Sequence, residues 1–423
     1  MKIITIRDID KFADTITPSP SKANKKKIES ILNDVKKNGD SAIKKYEKKF
    51  TGFKKGSLRV SKREIRSSYS KVTKEQLSAI KLAKNRLSKT ELAIKKRLGA
   101  FDISTDGVKI KKFFTPIPSV GCYVPGGSAR YPSSLVMSVI PAKIAGVKRI
   151  VVTSPTNKQG SVDPLTLVAA DICGVDEIYK IGGAQAIAAL SYGTKTIQPV
   201  NKIVGPGSSF VSIAKYLVSE KTSIDMIAGP TELGIIVDSS AKPDYVAVDL
   251  ISQAEHSKDT FCFVLTTSKN IAKDIVLSIK QKLKNVKRKE IVKNSLENNG
   301  FVGICKSENE MIRLANQLAP EHLEIISKKS KSLASKITSP GLILLGENTP
   351  SSASDYMLGS NHILPTNGFG KVRGSLSVMD FVKLGTQVVS SKESLRRISK
   401  YMSELCISEG LPNHYEAVRS RLK

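Results

Sequence analysis

The stretch Arg149-Ile-Val-Val-Thr153, followed by Pro164 to Ile172, Glu177 to Ile181, Ala184 to Ser191, Ile203-Val204 and Ser208 to Ser219, decides the fold. Its first segment is a run of β-branched residues without a polar face, the pattern of a strand buried on both sides. The second opens on proline, which suits the first turn of a helix, and spaces its apolar residues accordingly. Strand and helix alternating in this way imply right-handed crossovers and a parallel sheet.

Towards the C-terminus the alternation resumes in Leu233 to Val237, the helical Asp244 to His256, the strand Phe261-Cys-Phe-Val-Leu265 and a helix from Ile271; Gly341-Leu-Ile-Leu-Leu345 adds a short buried strand. Towards the N-terminus, Ile9 to about Leu98 reads as charged amphipathic helix broken near Pro18-Ser19-Pro20 and Gly52. Prolines and glycines crowd Pro116 to Gly127 and set a boundary near residue 122. The expected fold is α/β, with two Rossmann-like parallel-sheet domains, one inserted in the other, and small N- and C-terminal helical segments. Its expected division is an N-terminal segment 1–17, a discontinuous α/β domain of 18–122 and 233–376, an inserted α/β domain 123–232, and a mainly helical tail 377–423.

A chain of 423 residues supports more than one core. Its five cysteines are widely separated and form no C-x-x-C pair, which reads as reduced thiols. Charged residues appear early at the N-terminus, and no segment is long and apolar enough to span a bilayer, so a soluble, cytoplasmic protein without membrane contact is expected. The net charge of +30 invites a nucleic-acid reading, but its lysines are scattered among Glu, Asp, Asn and Ser at helical intervals, as on solvated faces. Aromatics are 5 % and Trp is absent, so base-stacking platforms are poorly supplied and no nucleic-acid partner is expected.

Two turns, Gly182-Gly-Ala-Gln185 and Gly205-Pro-Gly-Ser208, could offer free backbone N–H groups to a phosphate; as neither matches G-x-G-x-x-G, tight α/β turns explain them equally well. All four histidines lie among polar residues. His256 follows Gln253 by three positions, so on a helix the pair could give one metal an oxygen and an imidazole, or sit side by side by coincidence. His322 lies in Ala319-Pro-Glu-His-Leu323, where proline suits a helix start; Glu321 and His322 could serve as bases or as capping residues. His362, after Asp355, and His414, after Glu409, sit in Gly/Asn/Pro-rich contexts that favour exposed loops.

Assembled, these residues closely resemble the histidinol dehydrogenase family from about Pro18 to the C-terminus. The resemblance rests on Gly121-Cys-Tyr-Val-Pro-Gly-Gly-Ser-Ala129, Gly182-Gly-Ala-Gln-Ala-Ile-Ala-Ala-Leu190, Asp225-Met-Ile-Ala-Gly-Pro-Thr-Glu232, Ser252-Gln-Ala-Glu-His256, Ala319-Pro-Glu-His-Leu323, Ser354-Asp-Tyr356 with Asn361-His-Ile-Leu-Pro365, and Glu409-Gly-Leu-Pro-Asn-His414. It implies one Zn2+ per subunit held by Gln253, His256, Asp355 and His414, the last supplied by the tail of the other subunit in a homodimer with shared active sites. Two imidazoles, a carboxylate and an amide oxygen suit that metal and leave room for substrate donors. It further implies His322 as general base, Glu321 as activator of water, and Thr231, His362 and Glu409 beside His322 and the metal ligands as substrate contacts. Tyr123, Gln185 and Ser208 occupy the NAD-contacting positions.

The implied reaction is the NAD-dependent, two-step, four-electron oxidation of L-histidinol through L-histidinal to L-histidine, the last step of histidine biosynthesis, with two NAD+ consumed per turnover. Thr231 stands where the family commonly has Ser, keeping the hydroxyl and adding a methyl. Ser208 stands where Asn is usual, and a hydroxyl is shorter and lacks the amide's NH2. A paralogous zinc- and NAD-dependent dehydrogenase of another primary alcohol is the nearest rival; a non-catalytic basic protein and a zinc hydrolase belong to other classes.

Overall fold

The computed structural model describes residues 1–16, 25–52, 56–126 and 130–423. The Pro18-Ser-Pro20 break and Gly127-Ser-Ala129, the end of one quoted motif, lie outside them. Strand β1 (Lys2–Thr5) and helix α1 (Ile9–Ile16) precede the helices α2 (Lys25–Thr51), α3 (Lys62–Tyr69) and α4 (Lys74–Lys95). A hairpin of β2 (Phe101–Thr105) and β3 (Val108–Pro116) leads into β4 (Ser119–Tyr123), α5 (Pro132–Ala145), β5 (Arg149–Ser154), α6 (Pro164–Cys173) and β6 (Glu177–Lys180). Then come α7 (Gly183–Tyr192), β7 (Lys202–Val204), α8 (Ser209–Val218) and β8 (Ser223–Ile224). The second run comprises β9 (Glu232–Val237), α9 (Pro243–Ala254), β10 (Phe261–Thr266), α10 (Lys269–Lys282), α11 (Lys289–Asn298) and β11 (Gly300–Ile304). It continues through α12 (Glu308–Leu318), β12 (His322–Ile326), α13 (Ser330–Ala334), β13 (Leu342–Leu345) and α14 (Ser351–Tyr356). The chain ends in β14 (Val382–Ser390), α15 (Lys392–Ser408) and α16 (Pro412–Arg419).

Two sheets are wholly parallel, a five-stranded one in the order β6-β5-β4-β7-β8 and a six-stranded one in the order β1-β11-β10-β9-β12-β13. The smaller sheet is formed entirely by chain lying between β1 and β9, so it is inserted in the larger, as the alternation predicts. Their central strands are mainly apolar because helices cover both faces.

Three expectations need correction. Residues 1–17 do not stand as a separate segment: β1 pairs with β11, Lys2 opposite Phe301, as the edge of the large sheet. Residues 18–122 do not group with 233–376: α2 packs on α7, α3 on α6 and α4 on α5, all helices of the small sheet. An amphipathic pattern does not name the partner of its apolar face; in the structure Ile28, Ile31, Leu32, Val35 and Ile43 pack in the core containing Ile187 and Leu190. Thirdly, the tail opens with a nine-residue strand, β14, that joins β3 and β2 in an antiparallel sheet. Val382, Leu384, Thr386 and Val388 alternate with Lys383, Gly385 and Gln387, a strand signal that a helical reading of the tail passes over, and most of the strand is exposed.

Candidate active site

Unlike the usual arrangement in open α/β sheets, where ligands meet the carboxyl ends of strands, the large sheet gathers its polar side chains at its amino edge. His322 is the first residue of β12 and Glu232 the first of β9. The right-handed crossover sends α9 back against the strands, so Gln253, in its last turn, arrives at that same edge. His256 lies just beyond the helix, its N–H bonded to the Gln253 carbonyl at 3.2 Å. The expected helix start at Pro320 is not formed: α12 ends at Leu318, Ala319 takes a left-handed φ of +43°, and His322 begins a strand.

Two hydrogen-bonded groups meet here, with His322 Nδ1 3.9 Å from Glu321 Oε2 between them. His322 Nε2 donates to Asp355 Oδ1 at 3.1 Å. The Thr231 hydroxyl donates to the Glu321 carboxylate and accepts from Gln253 Nε2 at 2.8 Å. Glu232 N–H donates to Glu321 Oε2 at 3.0 Å, while Glu321 N–H donates to Glu232 Oε2 at 3.2 Å, cross-tying the starts of β9 and β12. His362 is half-buried in an irregular segment and not in an exposed loop. Its Nδ1 bonds the Asp355 carbonyl at 2.7 Å and so carries a proton, which leaves Nε2 to accept from Ser134 Oγ at 3.2 Å. Ser134 lies in the first turn of α5, after the carboxyl end of β4, so this edge of the small sheet meets the amino edge of the large one here.

Burial by itself would depress His322, but the Asp355 hydrogen bond and the charges of Glu321, Asp355 and Glu324 outweigh it and push its pKa up to about 9. Burial raises Glu321, only partly offset by His322 and the Thr231 hydroxyl. Asp355 is held below the ordinary carboxylate range: burial opposes this, and the His322 bond and the surrounding imidazoles prevail. Desolvation lowers both His256 and His362, against the opposing charge of Asp355, which favours their neutral forms.

On the small sheet, Tyr123 ends β4, Gln185 lies in the first turn of α7, and Ser208 precedes α8. The turns are not open cradles. Gly182 N–H is taken by Glu47 Oε1 at 3.0 Å, Gly183 N–H by the Tyr123 hydroxyl at 3.1 Å, and Gly205 N–H by Asp225 Oδ2 at 2.8 Å. Gly205, at φ +113°, presses so closely on Tyr123 that a Cβ would meet its carbonyl oxygen at 2.2 Å. Tyr123 and Gln185 are buried; the Ser208 hydroxyl is exposed and caps nothing. Glu409 and His414 are exposed on the tail, His414 within α16 and not in a loop.

The family described as histidinol dehydrogenase matches residues 17–422. A histidinol dehydrogenase of Clostridium acetobutylicum is 40 % identical over 420 residues, covering 98 % of this chain and 97 % of that protein. That of Methanocaldococcus jannaschii is 40 % identical over 427 residues, covering 100 % and 99 %. The crystal structure of histidinol dehydrogenase from Elizabethkingia anophelis superposes with a TM-score of 0.95 at 34 % identity, covering 100 % of this chain and 98 % of the other. The chain belongs to the histidinol dehydrogenase family.

As a histidinol dehydrogenase family member it is an oxidoreductase, and the paralogous alternative is not favoured. Among its described residues, no three His, Cys, Asp or Glu side chains are grouped so as to hold a metal ion, and no helix is long and apolar enough to cross a membrane. The donor chemistry of the candidate set nevertheless fits zinc in part. Gln253 spends its NH2 on Thr231, which frees Oε1; His256 favours its neutral form; Asp355 keeps one oxygen beyond the His322 bond. One more imidazole is needed.

Several polar residues here carry no role in the sequence reading: Glu47, Ser134, Asp249, Glu232 and Glu324. A signal existed for the last two, since each puts a carboxyl in a strand that is otherwise apolar, Glu-Leu-Gly-Ile-Ile-Val and His-Leu-Glu-Ile-Ile. Glu47 sits in an ordinary charged helix, and its 0 % exposure had no such marker.

Proposed function

We propose that this chain oxidises L-histidinol through L-histidinal to L-histidine, consuming two NAD+, as a cytoplasmic homodimer whose active sites are shared between subunits. The observation that carries this reading is the His322–Asp355 hydrogen bond beside the Glu321–Thr231–Gln253 chain, which brings a base and a carboxylate next to candidate metal donors. Zn2+, held by Gln253, His256, Asp355 and the partner's tail imidazole at position 414, would supply a Lewis acid that orients substrate. NAD+ would supply the hydride acceptor, contacted from Tyr123, Gln185 and Ser208.

His322 accepts the hydroxyl proton, and the charges of Asp355 and Glu321 favour its protonated form. Glu321, raised by burial and held in place by Thr231 and Glu232 N–H, orients the water that hydrates the aldehyde and takes up its proton. His322 serves again in the second oxidation. Thr231, His362 and the tail's Glu409 position substrate, and the buried walls around His322 exclude bulk water. The tail supports a shared site: Ile398, Tyr401 and Leu405 are 41 %, 72 % and 62 % exposed and lie at i, i+3 and i+7 on α15, one apolar face suited to a second copy.

The test is NADH formation by zinc-loaded protein with histidinol, scored against substrate consumed. Two NADH per histidinol, with histidine as product, supports the reading; turnover of another primary alcohol but not of histidinol overturns it.

A further inference from the structure

One step below the candidate site lies a second tier of polar side chains that this chemistry does not use. Glu324 follows His322 by two residues on the same face of β12, Asp249 precedes Gln253 by one turn of α9, and Ser351 precedes Asp355 by one turn of α14. Over those intervals strand and helix both advance by roughly 6 Å. The same three elements therefore converge twice, first at the site and again beneath it.

In that lower tier Glu324 is 1 % exposed. Its Oε1 accepts the Ser351 N–H at 2.6 Å. Its carboxyl faces both Asp249 and the Ser351 hydroxyl. Two ionised carboxylates offer each other only acceptors, and Glu324 Oε2 and the Ser351 hydroxyl are both buried without a hydrogen bond. A buried acceptor left in that state is costly, and one proton between the two groups removes the cost.

We propose that Asp249 and Glu324 share a single proton in a carboxylic acid–carboxylate hydrogen bond, and that this bond is a positioning element fixing β12, α9 and α14 so that His322, Gln253 and Asp355 meet. Burial raises both carboxyls, and the Asp249 charge raises Glu324 further, the direction that proton sharing requires. The other titratable neighbours that sense Glu324 are His322 on the same strand and Cys262 on β10. The positioning role rests on the proposed function; the shared proton does not.

Infrared spectra of the full-length protein at neutral pH test the proton directly. Wild-type-minus-E324Q and wild-type-minus-D249N difference spectra should each contain a carboxylic acid carbonyl band, with other buried acids cancelling. Absence of that band from both overturns the shared proton, whatever the protein binds. Zinc titration of the metal-free protein tests positioning. E324A should lose about 10–100-fold in zinc affinity, whereas E324Q, whose amide donates to Asp249 and accepts from Ser351, should keep wild-type affinity. Equal losses in E324Q and E324A, or no loss in either, overturn the positioning role. Should E324A fail to fold, D249A and D249N supply the same comparison from the other partner.

Discussion

The Thr231 hydroxyl is bonded on both sides, donating to the Glu321 carboxylate and accepting from Gln253 Nε2 at 2.8 Å. A single hydroxyl thus sets the orientation of the candidate water activator and of the candidate metal-binding amide. Removing it leaves a buried carboxylate short of a donor, at a cost of about 1–3 kcal/mol. T231V should lower kcat/KM for histidinol by about 10–100-fold, whereas T231S should stay near wild type. Equal activity of T231V and wild type in steady-state assays would show that the hydroxyl is dispensable.

His322 is assigned proton transfer and not metal binding, so chemistry and occupancy should separate. H322Q should reduce kcat by about 100–10,000-fold while the protein still binds zinc and histidinol. Metal analysis after gel filtration and calorimetric titration of histidinol check both halves. A variant that has lost its zinc would place His322 among the ligands instead.

Much of this arrangement was legible in the sequence. Both β/α runs were, because Arg149 to Thr153 and Phe261 to Leu265 are apolar strands punctuated by proline and glycine. The resemblance supplied the candidate site residues, of which the fold brings Thr231, Gln253, Glu321, His322, Asp355 and His362 together. The packing partner of α2 was not legible, since an amphipathic stripe says that a helix is buried but not against what. Nor was the occupation of the glycine turns, because the groups that fill Gly182 and Gly205 come from Glu47 and Asp225, 135 and 20 residues away in sequence. The lower tier of Asp249, Glu324 and Ser351 depends on three elements converging twice, a relationship present only once the strands are in register.

The exposed tail makes complementation a direct test of shared sites. H414A should lower zinc occupancy, and mixing it with H322Q should recover activity, because one site of each mixed dimer would receive both an intact His322 and an intact His414. Statistical mixing would put up to about a quarter of all sites in that class. Confirmed mixed dimers without recovered activity would show that each subunit completes its own site.

Glu91, 2 % exposed in α4, accepts the Val378 N–H at 2.7 Å and so ties that helix to the turn from which the tail departs. Burial is the main cause of its raised pKa, the Val378 bond opposes it, and the Asp380 charge adds to it, for a result of about 7. Unfolded, the same carboxyl titrates near 4.5. The folded protein therefore holds the proton more tightly, and its stability falls as pH rises from about 4.5 to about 7, after which the loss is complete. An amide can keep the Val378 bond but cannot ionise. E91Q should accordingly match wild type in urea midpoint at pH 4 and exceed it at pH 8, by about 1–3 kcal/mol in unfolding free energy. A difference between the two proteins that stays constant from pH 4 to pH 8 would mean that the Glu91 carboxyl ionises as freely in the fold as out of it, and that burial against the tail hinge exerts no electrostatic penalty.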